Sequence, residues 1–307
     1  MDAALRTLLS CPACGVELSS NGDRLGCSTC GESYGSSRGR PVLIRSANEM
    51  FSPSDFPDDA NGARGRRWMP KSLSVSPNLS RSRSLRRLAA LAPEASPILI
   101  IGSGDQRKAV EAELGPRSIV IATDVALDAD VDVFADGHEL PFRDATFGAV
   151  IATAVLEHVA DPERVMQEIV RVTTAGGLLY SEVPFMQQVH EGPHDFTRFT
   201  LGGHRRLTNR YDLIDSGAVA GPMTALVWAV EHLGLSLGGW RRPRLTKAII
   251  RIAFGWLTRI DSVIAQRPAA LDAASCTFVL GRLRSNGSVS DAQIVQEYRG
   301  AQPPARG

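Results

Sequence analysis

Between residues 97 and 184, short apolar runs alternate with amphipathic stretches. Ile98-Leu-Ile-Ile101 breaks into Gly102-Ser103-Gly104, and a helix is predicted over 106–114. Further apolar runs stand at 118–123, 131–135, 149–154 and 178–183. Runs this short and this evenly apolar read as strands buried on both faces. Ahead of the last of them, Asp161-Pro162 opens a helix in which Val165, Ile169 and Val172 recur at helical spacing. Strands alternating with helices predict an α/β fold: a doubly wound, Rossmann-like, mostly parallel sheet that binds ligands at its strand carboxyl ends.

Beyond this block the pattern changes. Residues 212–217 read as a helix end at Gly217, 218–220 as a short sixth strand, and 275–283 as a seventh and last. Two helical patterns fill 221–271, a helical insertion before the last strand. The second places Ile249, Ile252, Ala253, Trp256 and Ile260 on one face, with Lys247, Arg251 and Arg259 among its charged positions. Three roles stand for that face: packing on the domain or on a second copy, capping an acceptor pocket, and lying on a membrane through 245–264. The membrane role is the least of the three. Cys276 reads as a buried apolar residue of the last strand, and the polar tail 286–307 is expected to be mobile.

The N-terminal 1–46 carries a different signature. Cys11-Pro-Ala-Cys14 and Cys27-Ser-Thr-Cys30 are separated by twelve residues, and a glycine follows each pair. Two C-x-x-C turns flanking a hairpin with its turn at Asn21-Gly22 can aim four thiolates at one tetrahedral zinc. Four protein ligands leave no open position, so Cys11, Cys14, Cys27 and Cys30 predict a structural zinc ribbon. The ribbon is similar to the small zinc-ribbon proteins and domains that accompany some methyltransferases.

Residues 47–93 form a Ser/Pro/Arg-rich linker and a lead-in helix. From Arg64 to Arg87 eight Lys or Arg residues occur with no acid, and Trp68 lies among them. This 64–87 segment reads either as a phosphate-contacting surface for RNA or another phosphate, or as a solvated linker whose helix carries Leu85, Leu88 and Leu91. The whole chain of 307 residues has a net charge of +1, which implies no global attraction to nucleic acid or anionic lipid. Asp2 and Arg6 interrupt the N-terminus, no secretory signal is expected, and the cysteine usage suits a reducing, cytoplasmic setting.

Asp136-Gly-His-Glu-Leu-Pro-Phe142, Val155-Leu-Glu-His-Val159 and Asp161-Pro162 resemble the class I S-adenosylmethionine-dependent methyltransferases, in their type 11 branch, over roughly 80–222. The resemblance implies S-adenosylmethionine as cofactor in a domain spanning 94–285. It implies that Gly102, Ser103 and Gly104 line the methionine and ribose side, that Asp124 holds the ribose hydroxyls, and that Asp136 and Gly137 flank the adenine. Two positions depart from the family pattern: Ile100 stands where an acid is usual, and Gln106 where a third glycine is usual. Arg107 counts against a dinucleotide site, which wants glycine there.

After the fifth strand, His194 and Asp195 precede Arg198 in a loop where an acceptor should sit. Methyl transfer is an in-line displacement in which positioning does most of the work, and a base matters only if the acceptor loses a proton. His194, Asp195 and His158 are the candidate catalytic residues, against a purely structural reading in which Asp195 and Arg198 stiffen the loop. Three functions compete. The leading one is methyl transfer to a small-molecule, glycan or lipid-linked acceptor. The others are a ribosomal-RNA base methyltransferase that docks through its ribbon, and a non-catalytic adaptor.

Overall fold

The computed structural model describes residues 3–21, 24–56, 77–116, 118–190 and 192–303. Trp68 and the cations from Arg64 to Lys71 lie outside the described residues, as does Gly22 of the predicted ribbon turn.

Seven strands form one sheet. They are β6 (Ile98–Ile101), β7 (Val120–Asp124), β8 (Val133–Phe134), β9 (Phe147–Thr153), β10 (Thr173–Pro184), β11 (Tyr211–Ala220) and β12 (Cys276–Leu283). Their spatial order is β11-β12-β10-β9-β6-β7-β8, parallel except at β12, which runs antiparallel to both its neighbours. The chain turns outward in opposite directions from β6 and β9, and ligands bind such sheets at that switch point. Ile98–Ile101 and Phe147–Thr153 are buried throughout, which explains their lack of alternation. Gly148 is needed because a Cβ there would lie 2.6 Å from Ser96 Cβ.

Helix α2 (Arg81–Leu91) inserts Leu85 and Leu88 into one face of the sheet, while Leu91 stays at the surface. On the opposite face α4 (Pro162–Val172) buries Val165, Met166, Ile169 and Val172. Asp161 caps α4 by accepting from Arg164 N, as the Asp-Pro signal predicts.

Two expectations fail. Residues 212–217 do not close a helix: α5 is only Leu201–Leu207, and 211–220 is one ten-residue strand. That strand is fixed by pairing with β12 from Tyr211↔Leu283 to Ala220↔Cys276, a partner 56 to 72 residues away that no local pattern reveals. Nor does the tail hang free. Ser290 caps α10 (Asp291–Gln296), Glu297 pairs with Arg205 at 2.6 Å, and Tyr298 bonds Asp272 at 2.8 Å.

The N-terminal unit has α1 (Ala3–Leu8), the hairpin β1 (Ser19–Asn21) with β2 (Arg24–Gly26), β3 (Ser33–Tyr34), and a second hairpin of β4 (Ser36–Ser37) with β5 (Arg40–Pro41). It is built onto the sheet edge. Leu9 bridges Phe142, Val42 bridges Phe134, and Leu5, Leu9, Leu25, Tyr34 and Leu43 share one core with Leu140 and Phe142. The first ten residues of the predicted linker continue along that edge, where Asn48 donates to Asp136 Oδ2 at 2.8 Å.

Helices α6 (Pro222–Ser236) and α7 (Pro243–Phe254) form a hairpin leaving the carboxyl end of β11, the same sheet edge as the glycine turn. Gly234 lets Ile250 approach, since a Cβ at Gly234 would lie 2.6 Å from its Cδ1. Arg251 pairs with the fully buried Glu231 across the hairpin. Asp261 fastens its base, accepting from Gly221 N, Met223 N and Thr224 N.

Candidate active site

A cavity of about 420 Å³ opens at the carboxyl ends of β6, β7 and β9. Gly102 and Gly104 bend the chain there with φ of +63° and +50°, a region that favours glycine. A Cβ at Gly102 would fall 2.3 Å from Val155, so backbone forms the wall at that point. Gly104 N donates to Asp124 Oδ2 and Ala126 N to its Oδ1, both at 2.8 Å. These bonds aim the carboxylate at the cavity and leave each oxygen a further lone pair for a hydroxyl. Burial pushes the Asp124 carboxyl up, and the backbone donors pull against it.

Asp136 accepts from His138 N and Nδ1 on one oxygen and from Asn48 on the other. Burial opposes its charge, yet these donors hold its carboxyl below the ordinary range. Gly137 and His138 line the same wall. Met50 and Phe51 complete it from the strap that leaves the ribbon, and sequence reasoning missed both. Ser103 turns inward instead, its hydroxyl on Asp130 O at 3.2 Å. Gln106 has φ −93°, ordinary for any residue, so glycine is not required there. Its side chain accepts from Arg81. Ala154, also on the wall, has φ +56°, a strained value for a residue with a side chain.

The far side of the cavity carries His158 and His190. Their Nε2 atoms are 3.2 Å apart, with Glu157 behind them. Burial pushes the Glu157 carboxyl up to about 8. The Asp195 side chain is shielded from solvent and grips Arg198 with both oxygens while accepting His190 N at 2.9 Å. Burial again opposes its charge, but Arg198 holds its carboxyl below the ordinary range. His194 meets this group only through its backbone, whose carbonyl faces His158 Nδ1 at 2.8 Å; its side chain stands in solvent. Of the candidate catalytic residues, His158 therefore faces the cavity, Asp195 stands behind His190, and the His194 ring is apart from both. The sequence does not single out His190, because no local spacing pairs it with His158.

In the ribbon, Cys11 and Cys30 Sγ are 3.6 Å apart and Cys14 and Cys27 Sγ 3.4 Å apart, all four within 4.8 Å of one another. A zinc ion with Zn–S of about 2.3 Å needs sulfur separations of about 3.8 Å, so the donor set fits zinc.

A glycine turn after the first strand, an acid ending the second and room for a nucleoside without a phosphate cradle define the class I methyltransferase type of site. Residues 101–181 match the family model described as "Methyltransferase domain". Those residues are a methyltransferase domain. No curated protein matches the chain in sequence. Among solved structures, it is similar to a chain of the complex between the Haloferax volcanii Trm112 methyltransferase activator and the putative methyltransferase (16% identity, TM-score 0.43, covering 70% of this chain and 99% of that one). It is also similar to a SAM-dependent methyltransferase, possible histamine N-methyltransferase, from Thermotoga maritima (15%, 0.41, 69% and 92%). A third is a putative sarcosine dimethylglycine methyltransferase from Galdieria sulphuraria (13%, 0.41, 67% and 85%).

Proposed function

We propose that the protein transfers the methyl group of S-adenosylmethionine to a lipid-linked acceptor at an anionic membrane surface. One observation carries the acceptor class: the α6–α7 insertion exposes the apolar face that a packed helix would hide. Trp240, Ile249, Ile252 and Trp256 are 58–72% exposed, and no residue of α7 is buried. Ile250 and Arg251, not this face, make the packing against α6. Arg241, Arg242, Arg244 and Arg259 stand exposed around it, and no acid occurs between the buried Glu231 and the buried Asp261. Aromatic and aliphatic side chains ringed by cations suit a bilayer interface with anionic headgroups. The hairpin rises beside the cavity mouth, where Trp228 of α6 meets His190 with ring centroids 6.3 Å apart. No helix among the described residues is long and apolar enough to cross a membrane, so the contact is peripheral.

Gly102, Gly104, Asp124, Asp136 and Gly137 would hold the cofactor, with Ser103 shaping the turn from within. His158 and His190 would meet the acceptor, Asp195 would position His190, and His194 would hold His158 through its carbonyl. The RNA reading loses support in the described part of 64–87. Arg81 pairs with Glu182, Arg83 and Arg87 with Asp215, and Arg86 with Glu113. Cations so engaged are poorly placed to meet phosphates.

The test is co-sedimentation with vesicles of anionic phospholipid, beside neutral vesicles and ribosomal-RNA fragments. Retention on anionic vesicles, lost in Trp240→Ser/Trp256→Ser while S-adenosylmethionine still binds, is the expected result. Equal partitioning with both vesicle types, or preferential RNA binding at low salt, overturns the acceptor class.

A further inference from the structure

Glu157 is fully buried, and neither of its carboxylate oxygens has a hydrogen-bond partner among the described residues. A buried carboxylate without donors is costly, and its persistence calls for a cause. Its Oε1 faces His158 Nε2 at 3.7 Å and His190 Nε2 at 3.9 Å, too long for hydrogen bonds. The two Nε2 atoms are 3.2 Å apart.

Which nitrogen carries each proton follows from the partners. His158 Nδ1 faces the His194 carbonyl at 2.8 Å. His190 Nδ1 faces the Gln188 carbonyl and Asp195 Oδ2, each at 3.3 Å. All three are acceptors, so each ring holds its proton on Nδ1 and points a lone pair from Nε2 at the other ring. Two lone pairs and a carboxylate oxygen then converge on one point. A cation that takes the place of a Glu157 proton at that point satisfies all three.

We propose that Glu157, His158 and His190 form a site for a divalent transition metal ion, separate from the cysteine cluster. Metal–nitrogen bonds of about 2.0–2.1 Å in tetrahedral geometry place two nitrogens about 3.3 Å apart, close to the separation observed here. Glu157 closes the set by shifting a few tenths of an ångström. Carbonyl and carboxylate acceptors behind ligand imidazoles are the usual outer support of such a site, fixing tautomer and ring orientation. Two imidazoles and one carboxylate leave coordination positions open, as reactive metal sites require. Both rings line the cofactor cavity, so the open side faces it.

Metal binding stands on this geometry alone; the metal's role rests on the methyl-transfer reading. An acceptor hydroxyl bound to the ion gives up its proton more readily, and the proton passes to solvent. The oxygen forms its bond to the methyl carbon as the carbon–sulfur bond breaks. The electron pair stays on sulfur, leaving S-adenosylhomocysteine.

The test titrates the chelator-stripped full chain with zinc and, separately, with cobalt(II), following absorbance and stoichiometry. Two equivalents are expected. The second adds visible cobalt bands without sulfur charge transfer. His190→Ala is expected to weaken the second equivalent by about 100-fold and His158→Ala/His190→Ala to abolish it, with the cysteine equivalent unchanged. The thermal unfolding midpoint of each variant reports an intact fold, and S-adenosylhomocysteine binding is followed in the wild-type chain. A single equivalent in the wild-type chain, or a second one that survives in the double variant, overturns the proposal. Loss of nucleoside binding with the second metal retained would instead overturn the methyl-transfer reading and leave the metal site standing.

Discussion

Asp124 ends its strand with both oxygens held by backbone N–H groups, so the side chain costs little to order and points one way. Removing it deletes charge-assisted hydrogen bonds worth roughly 1.5–3 kcal/mol, so Asp124→Ala should weaken S-adenosylmethionine binding by about 10- to 100-fold by calorimetry. An unchanged affinity would mean the ribose is held elsewhere. Of the departures from the family pattern, Gln106 loses its significance once its backbone is seen to be ordinary. Ile100 is simply a buried strand residue. His204 is a different kind of residue, legible in the sequence only as one more polar position. It is fully buried between Ser181 Oγ at 3.0 Å and Thr277 Oγ1 at 3.3 Å, and burial lowers it from 6.5 to about 3. Below pH 6.5 the unfolded chain takes up a proton that the folded chain refuses. Stability from this site is therefore complete above pH 6.5 and declines toward pH 3, by at most about 1.4 kcal/mol per pH unit. His204→Gln should flatten that slope in urea titrations across the window, and an unaltered slope would exclude His204 as its source.

At the scale of elements, the parallel strands were legible because burial on both faces leaves an apolar run that little else produces. The acids that line the cavity, Asp124 and Asp136, were legible too, since each ends or follows such a run. Strand β11 was not, because Asp212, Asp215 and Gly217 mimic a helix end and its pairing partner lies far along the chain. The histidine pair failed for the same reason: 32 residues separate His158 from His190. The ribbon was legible in its ligands and illegible in its attachment. Its exit strap supplies Asn48 to Asp136 and Met50 and Phe51 to the cavity wall, a link through which loss of metal in the ribbon would reach the cavity. Cys27→Ser should release zinc, loosen the strap and weaken S-adenosylmethionine binding by about tenfold, the value of one hydrogen bond to a charged group. Metal analysis and calorimetry on the same preparation check this. Zinc loss with unchanged nucleoside affinity would mean the strap holds without the metal.

On the scale of the whole molecule, the ribbon, the sheet and the C-terminal segment are one packed body in which the ends of the chain brace opposite edges. The ribbon continues the sheet beyond β8 through the Leu9–Phe142 and Val42–Phe134 bridges. At the other edge, α10 and the residues after it lie against α5 and β11: Arg299 donates to Ser216 O at 2.9 Å, and Glu297 reaches Arg205. Composition could not announce this, because a polar segment with terminal Pro and Gly reads as solvent-exposed wherever its few anchors fall. The Arg205 guanidinium has a side chain only 4% exposed, with Glu297 as its carboxylate partner. Deleting one member of such a pair leaves a buried charge uncompensated, and that loss exceeds the net value of the contact itself. Glu297→Ala should therefore cost about 2 kcal/mol in denaturant unfolding. Arg205→Met, which removes the charge with its need for a partner, should cost less than Glu297→Ala. The reverse ranking, or no effect from either, would show that the C-terminal segment does not brace this edge.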